Sequence, residues 1–195
     1  MQPQTFVFFG IVGSGKGTQV EFLIDFLKEH DGRDVVYVYP GAEYRRMTES
    51  GNYTGGLVRD SMHSGNLQPD FLTTSIVTNI LISSLSEDKH LISDGYPRTI
   101  AQAESFQAMI KFYKRDLVKI IYIEIGETEA MRRNLLRARR DDTREGVSKR
   151  IKEYKNNVIP YMNYFKDKKG YKIYTVNGEQ SRENVYQDII KALGF

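Results

Sequence analysis

The chain has 195 residues, 28 lysines and arginines against 25 aspartates and glutamates, a formal net charge of +3 and no cysteine. Hydrophobic residues at 40% and charged residues at 27% are the proportions of a globular domain with a full core, which excludes disordered and fibrous classes. The absence of cysteine excludes disulfide frameworks, thiolate zinc sites and cysteine nucleophiles, and so small a positive excess suits an anionic small ligand at least as well as nucleic acid.

The first residues hold no basic stretch leading into a long apolar one, so no secretory signal is expected. No apolar run approaches the roughly 20 residues that span a bilayer, and a cytoplasmic location is expected. Residues 5–9 are apolar at nearly every position, the pattern of a strand buried on both faces. An amphipathic helix follows, with Phe22, Leu23, Phe26 and Leu27 on one face. A second strand is predicted over 35–39. Residues 40–89 hold no strand-like run but carry Gly41, Gly51, Gly55, Gly56 and Gly65 between helical segments. They read as a helical insertion at a sheet edge, over about 40–85, hinged by loops. Further strands are predicted at 90–93, 117–125 and, after Gly170, 171–176. Between the last two, residues 127–168 read as two helices broken near 139–144. His30, His63 and His90 form no ligand pattern and are expected at helix ends and loops, in surface or capping roles.

Strands alternating with helices predict an α/β domain with a parallel five-stranded sheet covered on both faces. The whole of 1–195 reads as one domain, with a core at 1–39 and 86–195.

The most informative stretch runs from the first strand into Gly10-Ile11-Val12-Gly13-Ser14-Gly15-Lys16-Gly17-Thr18-Gln19. Glycines let backbone N–H groups curl inward at a helix N-terminus and make an anion nest. Lys16 supplies a point charge for β- and γ-phosphates, and the Thr18 hydroxyl suits Mg²⁺. The spacing G-x-x-x-x-G-K is met by Gly10, Gly15 and Lys16, but Gly17 follows, so the hydroxyl comes one place late. This is a P-loop NTPase-type signature. The plain alternative, a glycine-rich surface turn, does not explain strand, turn, lysine and helix in that order.

The form G-S-G-K-G-T-Q resembles the adenylate kinase family of nucleoside monophosphate kinases. Three further segments fall in that family's order: Gly41 to Arg45 with Gly65 to Asp70, Asp94-Gly95-Tyr96-Pro97-Arg98-Thr99 with Gln102, and Arg139-Arg140-Asp141-Asp142 with Arg150. The resemblance implies a P-loop core, a helical insertion that binds the nucleoside monophosphate, and a minimal lid over about 137–147. It implies Mg²⁺-dependent, reversible transfer of the ATP γ-phosphate to a nucleoside monophosphate, with AMP the expected acceptor.

Residue by residue, the resemblance gives Lys16, Arg98, Arg139 and Arg150 the catalytic roles. Gly13, Ser14, Gly15, Lys16, Gly17 and Thr18 would bind ATP, with Arg137 against the donor base. Pro40, Gly41, Arg45, Asn66, Leu67, Gln68, Gly95, Arg98 and Gln102 would bind the monophosphate. Thr18 and Asp94 would hold Mg²⁺, Asp94 through water. Guanidinium groups suit phosphate oxygens because they bind them bidentately. The amide of Gln102 suits adenine because it both donates and accepts. Asp141 and Asp142 would orient the arginines. For Arg132, Arg133 and Arg144 a solvated helix face is the better reading.

Two departures leave the acceptor base open. Pro40 replaces a hydroxyl-bearing residue, and Gln68 stands where the family packs an apolar one. CMP or UMP therefore remain alternatives, as does a non-catalytic ATP-binding or RNA-associated module. ATP and the monophosphate are the expected partners, with no membrane, no nucleic acid and a monomeric state.

Overall fold

The computed structural model describes residues 2–137 and 143–195. Five strands form one sheet in the order β2-β3-β1-β4-β5. They are β1 (Thr5–Phe9), β2 (Val35–Val38), β3 (His90–Asp94), β4 (Val118–Glu124) and β5 (Tyr171–Asn177), and all four pairings are parallel. Helices α1 (Lys16–Asp31), α2 (Pro40–Glu49), α3 (Tyr53–His63), α4 (Asp70–Ser84), α5 (Ile100–Phe112), α6 (Glu127–Arg137), α7 (Arg144–Glu153), α8 (Ile159–Lys166) and α9 (Arg182–Leu193) connect or follow them.

The alternation of side chains along β1 divides the core in two. Phe6 and Phe8 face α1 and α9, where Val20, Leu23, Leu27, Val185, Ile189 and Leu193 complete one apolar layer. Val7 and Phe9 face the other layer, built by Val77 and Leu81 of α4, Phe106 and Ile110 of α5, Val147 and Ile151 of α7, and Phe165 of α8. Every residue of β1 is buried, as its uninterrupted apolar run predicts. Burying a side chain the size of Leu or Phe stabilises by about 1.5–3 kcal/mol. The sheet is therefore a rigid base for whatever loops its strands carry.

Element ends follow local chemistry. β2 stops at Val38 rather than 39, because Tyr39 becomes the N-cap of α2 and Pro40 takes its first turn, where a missing N–H costs nothing. α1 ends at Gly32, which is left-handed and returns its N–H to the Lys28 carbonyl. Thr143 caps α7 by accepting the Gly146 N–H. The second of the two helices predicted over 127–168 runs from Arg144 to Lys166 with a π-helical turn at Tyr154–Val158 between α7 and α8.

Helices α2 and α3 pack on each other where Gly55 meets the Met47 carbonyl so closely that a Cβ would not fit. α4 by contrast sends Ile76, Val77 and Leu81 inward, and its inner face joins the core.

His90 corrects the sequence reading. It is not at a helix end or in a loop but opens β3, fully buried. Its Nδ1 accepts the Gln4 N–H at 3.0 Å, and its Nε2 lies 3.1 Å from Asp31 Oδ1. That arrangement fixes the neutral tautomer with the proton on Nε2. Despite burial, hydrogen bonds from His90 and Arg33 hold the Asp31 carboxyl down at about 2.

Candidate active site

The loop after β1 is bent by Gly10, Gly13 and Gly15 at φ of 152°, 86° and 92°. Those are angles that side-chain-bearing residues rarely adopt. Ser14 N–H closes the turn on the Ile11 carbonyl at 3.1 Å. Gly15 then leads into α1, whose first helical residue is Lys16. The loop thus stands at the N-terminal, electropositive end of a 16-residue helix and at the C-terminal edge of a parallel sheet, where such folds bind phosphates. Ser14 is buried, Gly15 and Gly17 are exposed and Thr18 is half-buried.

Lys16 folds back over its own loop. Its Nζ donates to the Gly10 carbonyl at 2.7 Å and the Ile11 carbonyl at 3.1 Å, with Ser14 Oγ at 3.4 Å. Burial lowers its pKa to about 8; Asp94 opposes that fall, while Arg98 and Arg137 add to it. Asp94 and Arg98 from one stretch of sequence and Arg137 from another therefore lie within electrostatic range of the Lys16 ammonium.

Asp94 ends β3 beside Phe8 of β1 and is 4% exposed. Tyr37 of β2 donates its hydroxyl to Asp94 Oδ2 at 3.1 Å. Burial and the Asp94 carboxylate push the Tyr37 phenol far above its ordinary range, so it serves Asp94 as a donor at any ordinary pH. Tyr37 stacks on Tyr39, ring centroids 5.7 Å apart. Arg45 lies over the Tyr39 ring at 5.2 Å and donates to its hydroxyl at 3.1 Å. Arg45 is exposed. A line of aromatic contacts thus joins the carboxylate at the sheet edge to an arginine on α2.

Arg98 is exposed and steered by its own turn: its Nε donates to the Gly95 carbonyl at 2.7 Å. Gly95, at φ 75°, lies so close to this guanidinium that a Cβ would meet Arg98 Nη2 at 2.6 Å. Gln102 is 2% exposed. Its Oε1 accepts the Arg98 N–H at 2.8 Å, and its Nε2 donates to Asp70 Oδ1 at 2.7 Å, where the Thr99 hydroxyl also donates. An amide has two N–H groups and two lone pairs, so these contacts commit one of each.

Pro40 is buried and Gly41 half-buried, pressed against the Tyr39 ring. Asn66 is exposed, Leu67 half-buried and Gln68 8% exposed. The Gln68 Nε2 is closed off from solvent without a hydrogen-bond partner among the described residues. Tyr44 bonds Thr73 Oγ1 at 2.5 Å, and burial raises its pKa against the pull of Thr73 and Arg98.

On α6, Arg132 and Arg133 both pair with Glu129; Arg132 is well exposed, as a solvated helix face requires, whereas Arg133 is half-buried and also donates to the Gly178 carbonyl at 2.9 Å. Arg137 ends that helix and donates to Asn134 Oδ1 at 2.8 Å. Arg150 lies in the last turn of α7, on the helix that the Gly65 turn approaches through Gly146 and Lys149. Arg139, Arg140, Asp141 and Asp142 lie outside the described residues.

Sequence reasoning missed Tyr37, Tyr39 and Asn134, and gave Asp70 no role of its own. For Asn134 a signal existed: Ala130 and Asn134 are spaced i,i+4 on the buried side of α6, and an amide there needs partners. The aromatic line had none, because it depends on β2 and α2 meeting at Tyr39.

Fold and site together define a phosphate-loop enzyme with a lysine at the loop and two arginines, Arg98 and Arg137, within electrostatic range of it. The family model for adenylate kinase matches residues 8–170. An adenylate kinase of Bacteroides fragilis is 31% identical over 191 residues, 96% of each chain. One from Prochlorococcus marinus is 34% identical over 161 residues, 83% of this chain and 84% of that one. One from Thermosipho africanus is 29% identical over 218 aligned positions, 96% and 98% of the two chains. The chain belongs to the adenylate kinase family and is a nucleoside monophosphate kinase. Among the described residues no helix is long and apolar enough to cross a membrane.

Proposed function

We propose that the enzyme catalyses reversible, Mg²⁺-dependent transfer of the ATP γ-phosphate to AMP, giving two ADP. The observation that carries the reading is the glycine-rich loop at the N-terminus of α1, with Lys16 Nζ folded onto the Gly10 and Ile11 carbonyls and the buried Asp94 ending the neighbouring strand. The loop amides of 13–18 and the Lys16 ammonium hold the donor phosphates. Arg45 and Arg98 hold the acceptor's phosphate. Its oxygen is already ionised, so no general base is required and positioning carries the catalysis. Arg139 and Arg150 spread the charge of the transferred group, and Arg137 lies against the donor base. Segment 40–85 forms the acceptor side, and the short segment at 137–147 closes over the donor.

The oxygen donors fit a hard divalent cation: the buried Asp94 carboxylate, oriented by Tyr37, and the Thr18 hydroxyl at the loop. Mg²⁺, when bound there, neutralises charge on the β- and γ-phosphate oxygens.

AMP is favoured because Gln102 retains one N–H and one lone pair, the complement of an adenine edge, while Asp70 and the Arg98 N–H fix its plane. A second reading keeps the chemistry and changes the base. It rests on the partnerless Gln68 Nε2, a donor that a pyrimidine carbonyl would satisfy. The test is kcat/KM for AMP, CMP, UMP, GMP and dTMP with MgATP, reading diphosphate products directly. AMP at least tenfold ahead is expected; a pyrimidine ahead would reassign the acceptor, and no transfer to any would overturn the reading.

A further inference from the structure

Asn134 is the only fully buried amide on α6, and it faces the back of the phosphate loop. Its Nδ2 donates to the Val12 carbonyl at 3.0 Å and to the Ala130 carbonyl one turn earlier in its own helix at 2.6 Å. Its Oδ1 accepts from Arg137 at 2.8 Å. The amide cannot be turned over: carbonyls only accept and a guanidinium only donates, so the three partners admit one orientation. The fit is close. At Gly13 any Cβ would run into Nδ2 itself and sit 3.0 Å from the Ala130 carbonyl.

We propose that Asn134 is a positioning residue that sets the phosphate loop for its anion. The inference rests on the reading of 13–18 as the donor phosphate site. A trans peptide is planar, with C=O and N–H pointing opposite ways. Holding the Val12 carbonyl back against α6 turns the Gly13 N–H away from α6, toward the concave side of the loop. Gly13 at φ 86° has no side chain to fix that peptide by packing, so the amide of Asn134 does it. Arg137, three residues on, holds the other end of the same amide and is the last residue of α6.

The test is calorimetric titration of MgATP and, separately, of AMP into Asn134→Ser, Asn134→Ala and the parent, each with its melting curve. Serine is the discriminating change. Its hydroxyl still bonds the Ala130 carbonyl within the helix but is too short to reach Val12. In both variants the ATP Kd is expected to rise about tenfold while the AMP Kd stays within about twofold, a split that general loosening of the fold would not give. Equal losses for the two nucleotides, an ATP Kd within twofold of the parent in folded Asn134→Ser, or a serine variant that fails to fold would each overturn the proposal. A parent that does not bind ATP would defeat the donor-site reading and this inference with it.

Discussion

Lys16 gives the site a pH dependence that can be worked out beforehand. Its ammonium is held on two loop carbonyls, and burial brings its pKa to about 8. The sign follows from the charge. Polyphosphate binds the protonated form, so affinity is full below pH 8 and declines above it. The apparent Kd scales as 1 + 10^(pH − pKa), giving about 1.1 at pH 7 and about 11 at pH 9, a tenfold weakening over two units. Calorimetric titration with MgATP at fixed ionic strength reads this directly. Lys16→Arg, whose guanidinium stays charged throughout, should bind less tightly but without the slope. A parent Kd constant within twofold from pH 7 to pH 9, or the same slope in Lys16→Arg, would refute the reasoning.

Three further outcomes follow from the geometry. Gly10→Ala places a Cβ 2.6 Å from the Ile123 carbonyl at φ 152°, and should cost about 1–3 kcal/mol of stability in denaturant melts; an unchanged midpoint would contradict it. Arg98→Ala should lower kcat by about 10²–10³ while ATP affinity changes little, since this arginine serves developing charge; a loss below threefold would remove Arg98 from the catalytic groups. His90→Ala leaves the Gln4 N–H and the Asp31 carboxylate without their buried partner and should cost about 2–4 kcal/mol. Because the folded-state pKa of Asp31 is depressed to about 2, its contribution is complete above the ordinary carboxylate range and is lost as pH falls from about 4 towards 2. Melting curves over that range should fall less steeply in His90→Ala than in the parent.

The order of strands and helices could be read from the chain because β1 is apolar at all but its first residue, strand-like runs alternate with helical ones, and the glycine-rich turn marks where β1 gives way to α1. What could not be read depends on elements meeting across long stretches of sequence. His90 opens a predicted strand, but its sequence surroundings do not show that β3 brings it against Gln4 and Asp31, 86 and 59 residues away. Tyr39 reads as the last residue of a strand, yet Pro40 converts it into a helix cap whose ring carries Arg45. The sequence shows that Gln102 can donate and accept; that Asp70 and the Arg98 N–H already use half of that capacity appears only in the folded chain. Asn134 lies 122 residues from Val12, and no local pattern joins them.

The central claim, transfer between adenine nucleotides in both directions, is tested most directly from the product side. Purified protein given ADP and Mg²⁺ as the sole nucleotide and metal should be followed by ³¹P spectroscopy. Equal amounts of ATP and AMP are expected, appearing together and without inorganic phosphate. ADP left unchanged, or converted to AMP and phosphate, by protein that still binds ATP would contradict it.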